Sequence, residues 1–80
     1  MVEPGSIEQS IRAGLDVVHL EVGGDGAHFE AVIVSAAFAG LSRVRRHQLV
    51  YATLGTRMGG EIHALSMQTL TPDEWAARQS

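Results

Sequence analysis

The apolar positions change their spacing along the chain, and each change marks an element. Ile7, Ile11, Gly14 and Leu15 fall on one helical face. Ser6 reads as the N-cap of this helix, Gln9 three residues later completes a capping box, and Gly14 marks its end. From Asp16 to Val22 the period drops to two. Val18, Leu20 and Val22 point one way, and Val17, His19 and Glu21 the other. Gly23-Gly24-Asp25-Gly26 is a turn, and Ala27 to Ser35 is a second strand. Its unbroken run Val32-Ile33-Val34 suits a strand buried on both faces. The two strands predict a β-hairpin with a loop of about four residues.

The connector Ala36-Ala37-Phe38-Ala39-Gly40 is apolar and tucks Phe38 into the core. Ser42 caps a long second helix that runs to about Met58. Its stripe is Val44, His47, Val50, Tyr51, Leu54 and Met58, with Gly59-Gly60 beyond. Glu61 to Leu70 is a third strand, with Ile62, Ala64 and Ser66 on one face and His63, Leu65 and Met67 on the other. Thr71-Pro72-Asp73-Glu74 opens a last helix, with Thr71 as N-cap, Pro72 at the first turn and Glu74 closing the box. Trp75 then packs that helix against the body. The order α-β-β-α-β-α predicts an α+β fold, a three-stranded sheet with helices on one side. If the second and third strands are parallel neighbours, the helical crossover between them is right-handed.

With 80 residues the chain is expected to be one domain, residues 1–80. There is no cysteine, which removes disulfides, thiolate nucleophiles and self-sufficient iron–sulfur ligation. Paired catalytic carboxylates and a phosphate-binding Gly-Lys signature are also missing, so the expectation is a protein that is not an enzyme. No apolar run approaches the roughly 20 residues of a membrane span. Met1-Val2-Glu3-Pro4-Gly5 lacks the basic flank and apolar core of a secretory signal. A cytoplasmic protein without membrane attachment is expected.

Charge is unevenly distributed. The first half carries Glu3, Glu8, Asp16, Glu21, Asp25 and Glu30 against Arg12 alone, whereas residues 41–60 carry Arg43, Arg45, Arg46 and Arg57 and no acid. The basic segment reads either as a solvated helix face or as a surface for an anionic partner.

Several stretches, taken together and in order, resemble the BolA family. They are His28-Phe29, Val34-Ser35, Phe38-Ala39-Gly40, the run Ser42-Arg43-Val44-Arg45-Arg46-His47-Gln48-Leu49-Val50-Tyr51, then Ile62-His63-Ala64-Leu65-Ser66 and Thr69-Leu70-Thr71-Pro72-Asp73-Glu74-Trp75. The short hairpin loop is similar to the smaller, YrbA-like bacterial branch. The resemblance covers about Ile7 to Ala76 and implies a class II KH-like α+β sandwich. It also implies a non-enzymatic adaptor that forms a heterodimer with a monothiol glutaredoxin, acting in iron–sulfur trafficking or iron and redox signalling.

Such pairs share a [2Fe-2S] cluster, with sulfur from the glutaredoxin and from glutathione, and the family histidine falls on His63. Family members often place a second ligand, Cys or His, where this chain has Asp25. A carboxylate is a hard ligand for such a cluster. Asp25 ligates weakly, His28 substitutes, or His63 serves alone; the residues leave all three open. His47, on the apolar stripe, reads as a structural histidine, and His19 as solvent-exposed. The alternative function is a BolA-type DNA-binding regulator of stress response and cell morphology, using Arg43, Arg45 and Arg46. No Gly-x-x-Gly loop of KH domains accompanies them. Alone, the chain is expected to be a monomer or a weak homodimer.

Overall fold

Pro4, with its backbone already set for a helix and no N–H to leave unpaired, opens the first element. The structure, a computed structural model, describes residues 2–79. Helix α1 is Pro4–Gly14, capped at Glu3 without a side-chain hydrogen bond. Its cap therefore lies three residues before the expected Ser6. The capping box with Gln9 does not form, because the Ser6 hydroxyl accepts from Arg57 Nη2 at 2.8 Å. Gly14 is the last residue of the helix, as expected, and the packing of α1 on α2 requires a glycine there: a Cβ would sit 2.9 Å from Thr53 Cγ2.

Strands β1 (His19–Gly24) and β2 (His28–Val34) form the antiparallel hairpin, and β3 (Ala64–Leu70) pairs with β2 in parallel. The sheet order is β1-β2-β3, so β2 is central and β3 is an edge. Phe38 lies in a short 3-10 turn, Ala36–Phe38, and is fully buried as expected. The buried Ser35 holds that turn: its hydroxyl donates to Asp16 O at 2.6 Å and accepts from Ala37 N at 3.1 Å. Helix α2 is Arg43–Leu54, with Ser42 accepting from Arg45 N as its cap. It stops before the expected Met58, because Gly55 turns the chain at φ +55° into a 3-10 turn, Gly55–Arg57. Helix α3 is Pro72–Gln79. At its start Thr71 and Glu74 make the expected reciprocal box, with Glu74 N donating to Thr71 Oγ1 and Thr71 N to Glu74 Oε1.

Ile7 and Ile11 of α1, Leu20 of β1, Phe29, Ala31 and Ile33 of β2, Val50 and Leu54 of α2, together with Phe38 and Ile62, form the core on one face of the sheet. Helix α3 does not join that layer. His19 and Val34 alternate with the core-facing Leu20 and Ile33, so they point to the opposite face, and there Trp75 stacks on His19 with ring centroids 4.6 Å apart. Arg78 Nη1 adds a bond to Gln68 Oε1 on the same face. The expectation of helices on one side holds for α1 and α2 and fails for α3. His19 is half-buried rather than free, and Val18, expected inward, is 66% exposed because β1 begins only at His19.

The hairpin closes on a backbone approach that only glycine allows. Gly24 has φ +153°, and a Cβ there would lie 2.5 Å from His28 O and 2.7 Å from Phe29 Cδ1. Gly24→Ala is expected to cost about 1–3 kcal/mol through this overlap, measured by urea unfolding. Gly5→Ala, with nothing within 4 Å, should leave stability level or raise it.

Candidate functional site

The antiparallel hairpin and the parallel β2–β3 ladder bring one turn and one loop to the same end of the sheet. The turn Asp25-Gly26-Ala27 joins β1 to β2. The loop before β3 ends at His63, directly ahead of Ala64, which pairs with His28. The three residues expected near a metal, His63, His28 and Asp25, therefore meet at the N-terminal end of β2 and β3.

His63 is not on the core face of a strand. Ile62 is fully buried and makes an isolated bridge to Met58, while Leu65 and Met67 pack against the core. Two inward residues separated by three positions cannot both keep a strict period of two, so the chain breaks step at His63 and turns its side chain outward. The bonds Gly59 N to Ile62 O at 3.0 Å and Ile62 N to Arg57 O at 2.9 Å hold the loop in that shape. His63 is exposed, and among the described residues no hydrogen bond, ion pair or ring contact engages its imidazole. Both ring nitrogens are available to an incoming group.

Asp25 has a different task. Its Oδ1 accepts from Ala27 N and His28 N, both at 2.9 Å, which builds an Asx turn across the hairpin. The His28 and Ala27 N–H groups hold its carboxyl below the ordinary carboxylate value, so it stays charged and committed to the turn. His28 is exposed at the start of β2, and its ring is held by no hydrogen bond among the described residues. No group of three or more His, Cys, Asp or Glu side chains among the described residues is arranged to hold a metal ion. The donor set is thus two free imidazoles, with no thiolate, which suits one side of a centre that a second molecule completes.

The basic segment divides. Arg43 and Arg45 are exposed at the start of α2. Arg46 is turned inward, its side chain only 14% exposed. Its Nε donates to Leu41 O at 3.0 Å and its Nη1 to Thr69 O at 3.0 Å, and its guanidinium pairs with Glu74 at 2.7 and 3.3 Å. Arg46 is a strut between α2, β3 and α3, so it is lost to any surface that Arg43 and Arg45 form. The Arg46 guanidinium, with help from the Thr71 N–H, holds the Glu74 carboxyl at about 2 against an ordinary 4.5. Arg57 is likewise structural. It donates to Ser10 Oγ at 2.6 Å, to Ser6 Oγ and to Glu61. His47 is half-buried and meets Tyr51 edge-on, with no bond across the core. The Arg46 and Arg57 anchors were not legible in the sequence, because their partners lie up to 51 positions away. No helix among the described residues is long and apolar enough to cross a membrane.

Comparison with known proteins agrees with this architecture. The BolA family, described as BolA-like protein, matches residues 8–74. The acid stress protein IbaG of Escherichia coli (strain K12) is 37% identical over 76 residues, which cover 94% of this chain and 90% of that one. Human BolA-like protein 1 is 46% identical over 52 residues, 65% of this chain, although the matched region spans only 38% of the human protein. The solved structure of a bolA protein homologue from Coxiella burnetii superposes with a TM-score of 0.81 at 47% identity, covering 95% of this chain and 99% of that one. The order α-β-β-α-β-α, the mixed three-stranded sheet and the near end-to-end matches converge on one statement: the chain belongs to the BolA-like protein family.

Proposed function

We infer that this protein is a non-catalytic adaptor that offers His63 to a [2Fe-2S] cluster held jointly with a monothiol glutaredoxin and glutathione. The observation that carries the reading is the outward, unengaged imidazole of His63 beside the hairpin turn. With no cysteine in the chain, sulfur comes from the partner side. A neutral imidazole donor raises a cluster's potential relative to all-thiolate ligation. His28 is the second donor in this reading, since Asp25 already spends its Oδ1 on two backbone N–H groups. The E. coli relative is named as an acid stress protein, and a stress-linked role in iron–sulfur handling is compatible with that name.

The alternative of a DNA-binding regulator drew on three arginines of one helix. With Arg46 bound inward, Arg43 and Arg45 remain, and two phosphate contacts give only weak, salt-sensitive affinity.

The test is co-expression with a monothiol glutaredoxin, followed by visible absorption and circular dichroism. A one-to-one heterodimer with a cluster spectrum is expected. His63→Ala should change that spectrum and speed cluster loss by about tenfold or more. His28→Ala should change the spectrum less, and Asp25→Asn least. A spectrum indifferent to His63→Ala would remove the assignment.

A further inference from the structure

We propose that the groove along the free edge of β3, between α2 and α3, docks an extended acidic segment of a partner protein, which adds to the sheet as a fourth strand beside Met67. Because β3 closes the order β1-β2-β3, one of its edges has no strand partner. Two hydrogen bonds show which backbone groups face that edge. Ser35 N donates to Leu70 O, so Leu70 faces β2, whereas Arg46 Nη1 reaches Thr69 O from the opposite side. Strand residues alternate in this respect, so Met67 and Thr69 turn their N–H and C=O groups to the free edge. Among the described residues, no loop, cap or side-chain hydrogen bond reaches the Met67 backbone or the Thr69 N–H. Strand edges left open in this way are usually guarded by charged side chains or proline. The run Ala64-Leu65-Ser66-Met67-Gln68-Thr69-Leu70 carries neither.

The space beside this edge is a groove of about 760 Å³, bounded by Arg43 and His47 on one wall and Arg78 on the other, with Met67 and Thr69 on its floor. Arg46 and Glu74 neutralise one another in the groove, which leaves Arg43 and Arg78 as its excess charge, in a chain whose net charge is −3. The excess of positive charge selects an acidic occupant. The unpaired donors and acceptors of the edge select a peptide backbone, since strand addition satisfies both kinds at once. A nucleic acid strand fits less well. No Phe, Tyr or Trp lines the groove to stack a base, and Trp75 is engaged with His19. Met67, the centre of the docking edge, lies four residues beyond His63, roughly 13 Å along an extended strand. The groove is therefore separate from the proposed cluster end, and a partner there leaves His63 free.

The experiment is an amide NMR titration of the full chain with a short peptide of alternating Glu and Val. Shifts centred on Met67, Gln68 and Thr69 are expected, with weaker binding of the matching Gln and Val peptide. Arg43→Glu combined with Arg78→Glu should weaken binding by about tenfold or more. Arg45→Glu, outside the groove, should leave it unchanged. A Glu and Val peptide N-methylated at alternate amides keeps its charge and should lose binding, which tests strand addition without altering the protein. Shifts centred on His28 and His63, equal binding of the methylated peptide, tighter binding of a single-stranded oligonucleotide in the same groove, or no shift at about millimolar peptide would each overturn the proposal.

Discussion

Phe38→Ala should lower the unfolding free energy by about 3–5 kcal/mol, the cost of removing a fully buried aromatic side chain and leaving a cavity. Phe38 has no exposed surface and projects from a one-turn connector into the cluster of Ile7, Ile11, Ile33 and Val50. The connector is pinned by Ser35, whose hydroxyl bridges Asp16 O and Ala37 N, so the backbone is poorly placed to collapse into the void. A domain of this length has a total stability of roughly 4–12 kcal/mol, so the substitution removes a large fraction of it. Urea unfolding should show a midpoint lowered by several molar units at unchanged slope, because the slope is about 1 kcal/mol per molar for so small a protein. Val44→Ala is the control: Val44 is 65% exposed, and the change should stay within about 0.5 kcal/mol. A loss below about 1 kcal/mol for Phe38→Ala would mean that the connector does not close the core.

Arg46→Met should be the most damaging change on the α2 surface, at about 2 kcal/mol. It deprives the Leu41 and Thr69 carbonyls of their side-chain donor while keeping an aliphatic stem of similar length. It also releases α3, whose first turn Arg46 ties to α2 through Glu74. Trp75, the one tryptophan, reports on that release, because its stacking on His19 depends on α3 staying against the sheet. A red-shifted emission with little loss of strand signal is expected.

The same substitution carries a pH signature. Glu74 titrates at about 2 when folded against an ordinary 4.5, so its contribution to stability is complete above about 4.5 and is lost as the pH falls through about 2. In Arg46→Met the principal cause of that depression is gone. The stability difference between the parent and Arg46→Met should therefore narrow as the pH is lowered from 4.5 to 2. A difference that stays constant across this range would show that the Arg46–Glu74 pair contributes nothing.

Much of the architecture was readable from local chemistry. The order of elements, the hairpin, the burial of Phe38, the Ser42 cap and the Thr71–Glu74 box all rest on interactions between residues close in sequence. The expectations that failed have causes that the periodic pattern of polar and apolar positions does not carry. The start of α1 shifted because Ser6 is claimed by Arg57, distant in the chain. The end of α2 shifted because Gly55, rather than the Gly59-Gly60 pair, meets a backbone requirement set by the docking of the following turn. His63 left the face it was expected to share with Leu65 and Met67, because Ile62, bridged to Met58, stays buried and the alternation breaks after it.

For the candidate site, the sequence determined the inventory: one histidine in the Ile62-His63-Ala64-Leu65 stretch, His28 and Asp25 near the hairpin, and no cysteine anywhere. Residue types and short spacings are local quantities, and they suffice for that. Tertiary packing decided which of these groups are free. It turned His63 outward, drew Arg46 away from the surface and placed α3 on the far face of the sheet, leaving a basic groove at the β3 edge. Those outcomes depend on which distant backbone groups require a hydrogen-bond partner once the core is closed, and a one-dimensional pattern of polar and apolar positions does not encode that competition.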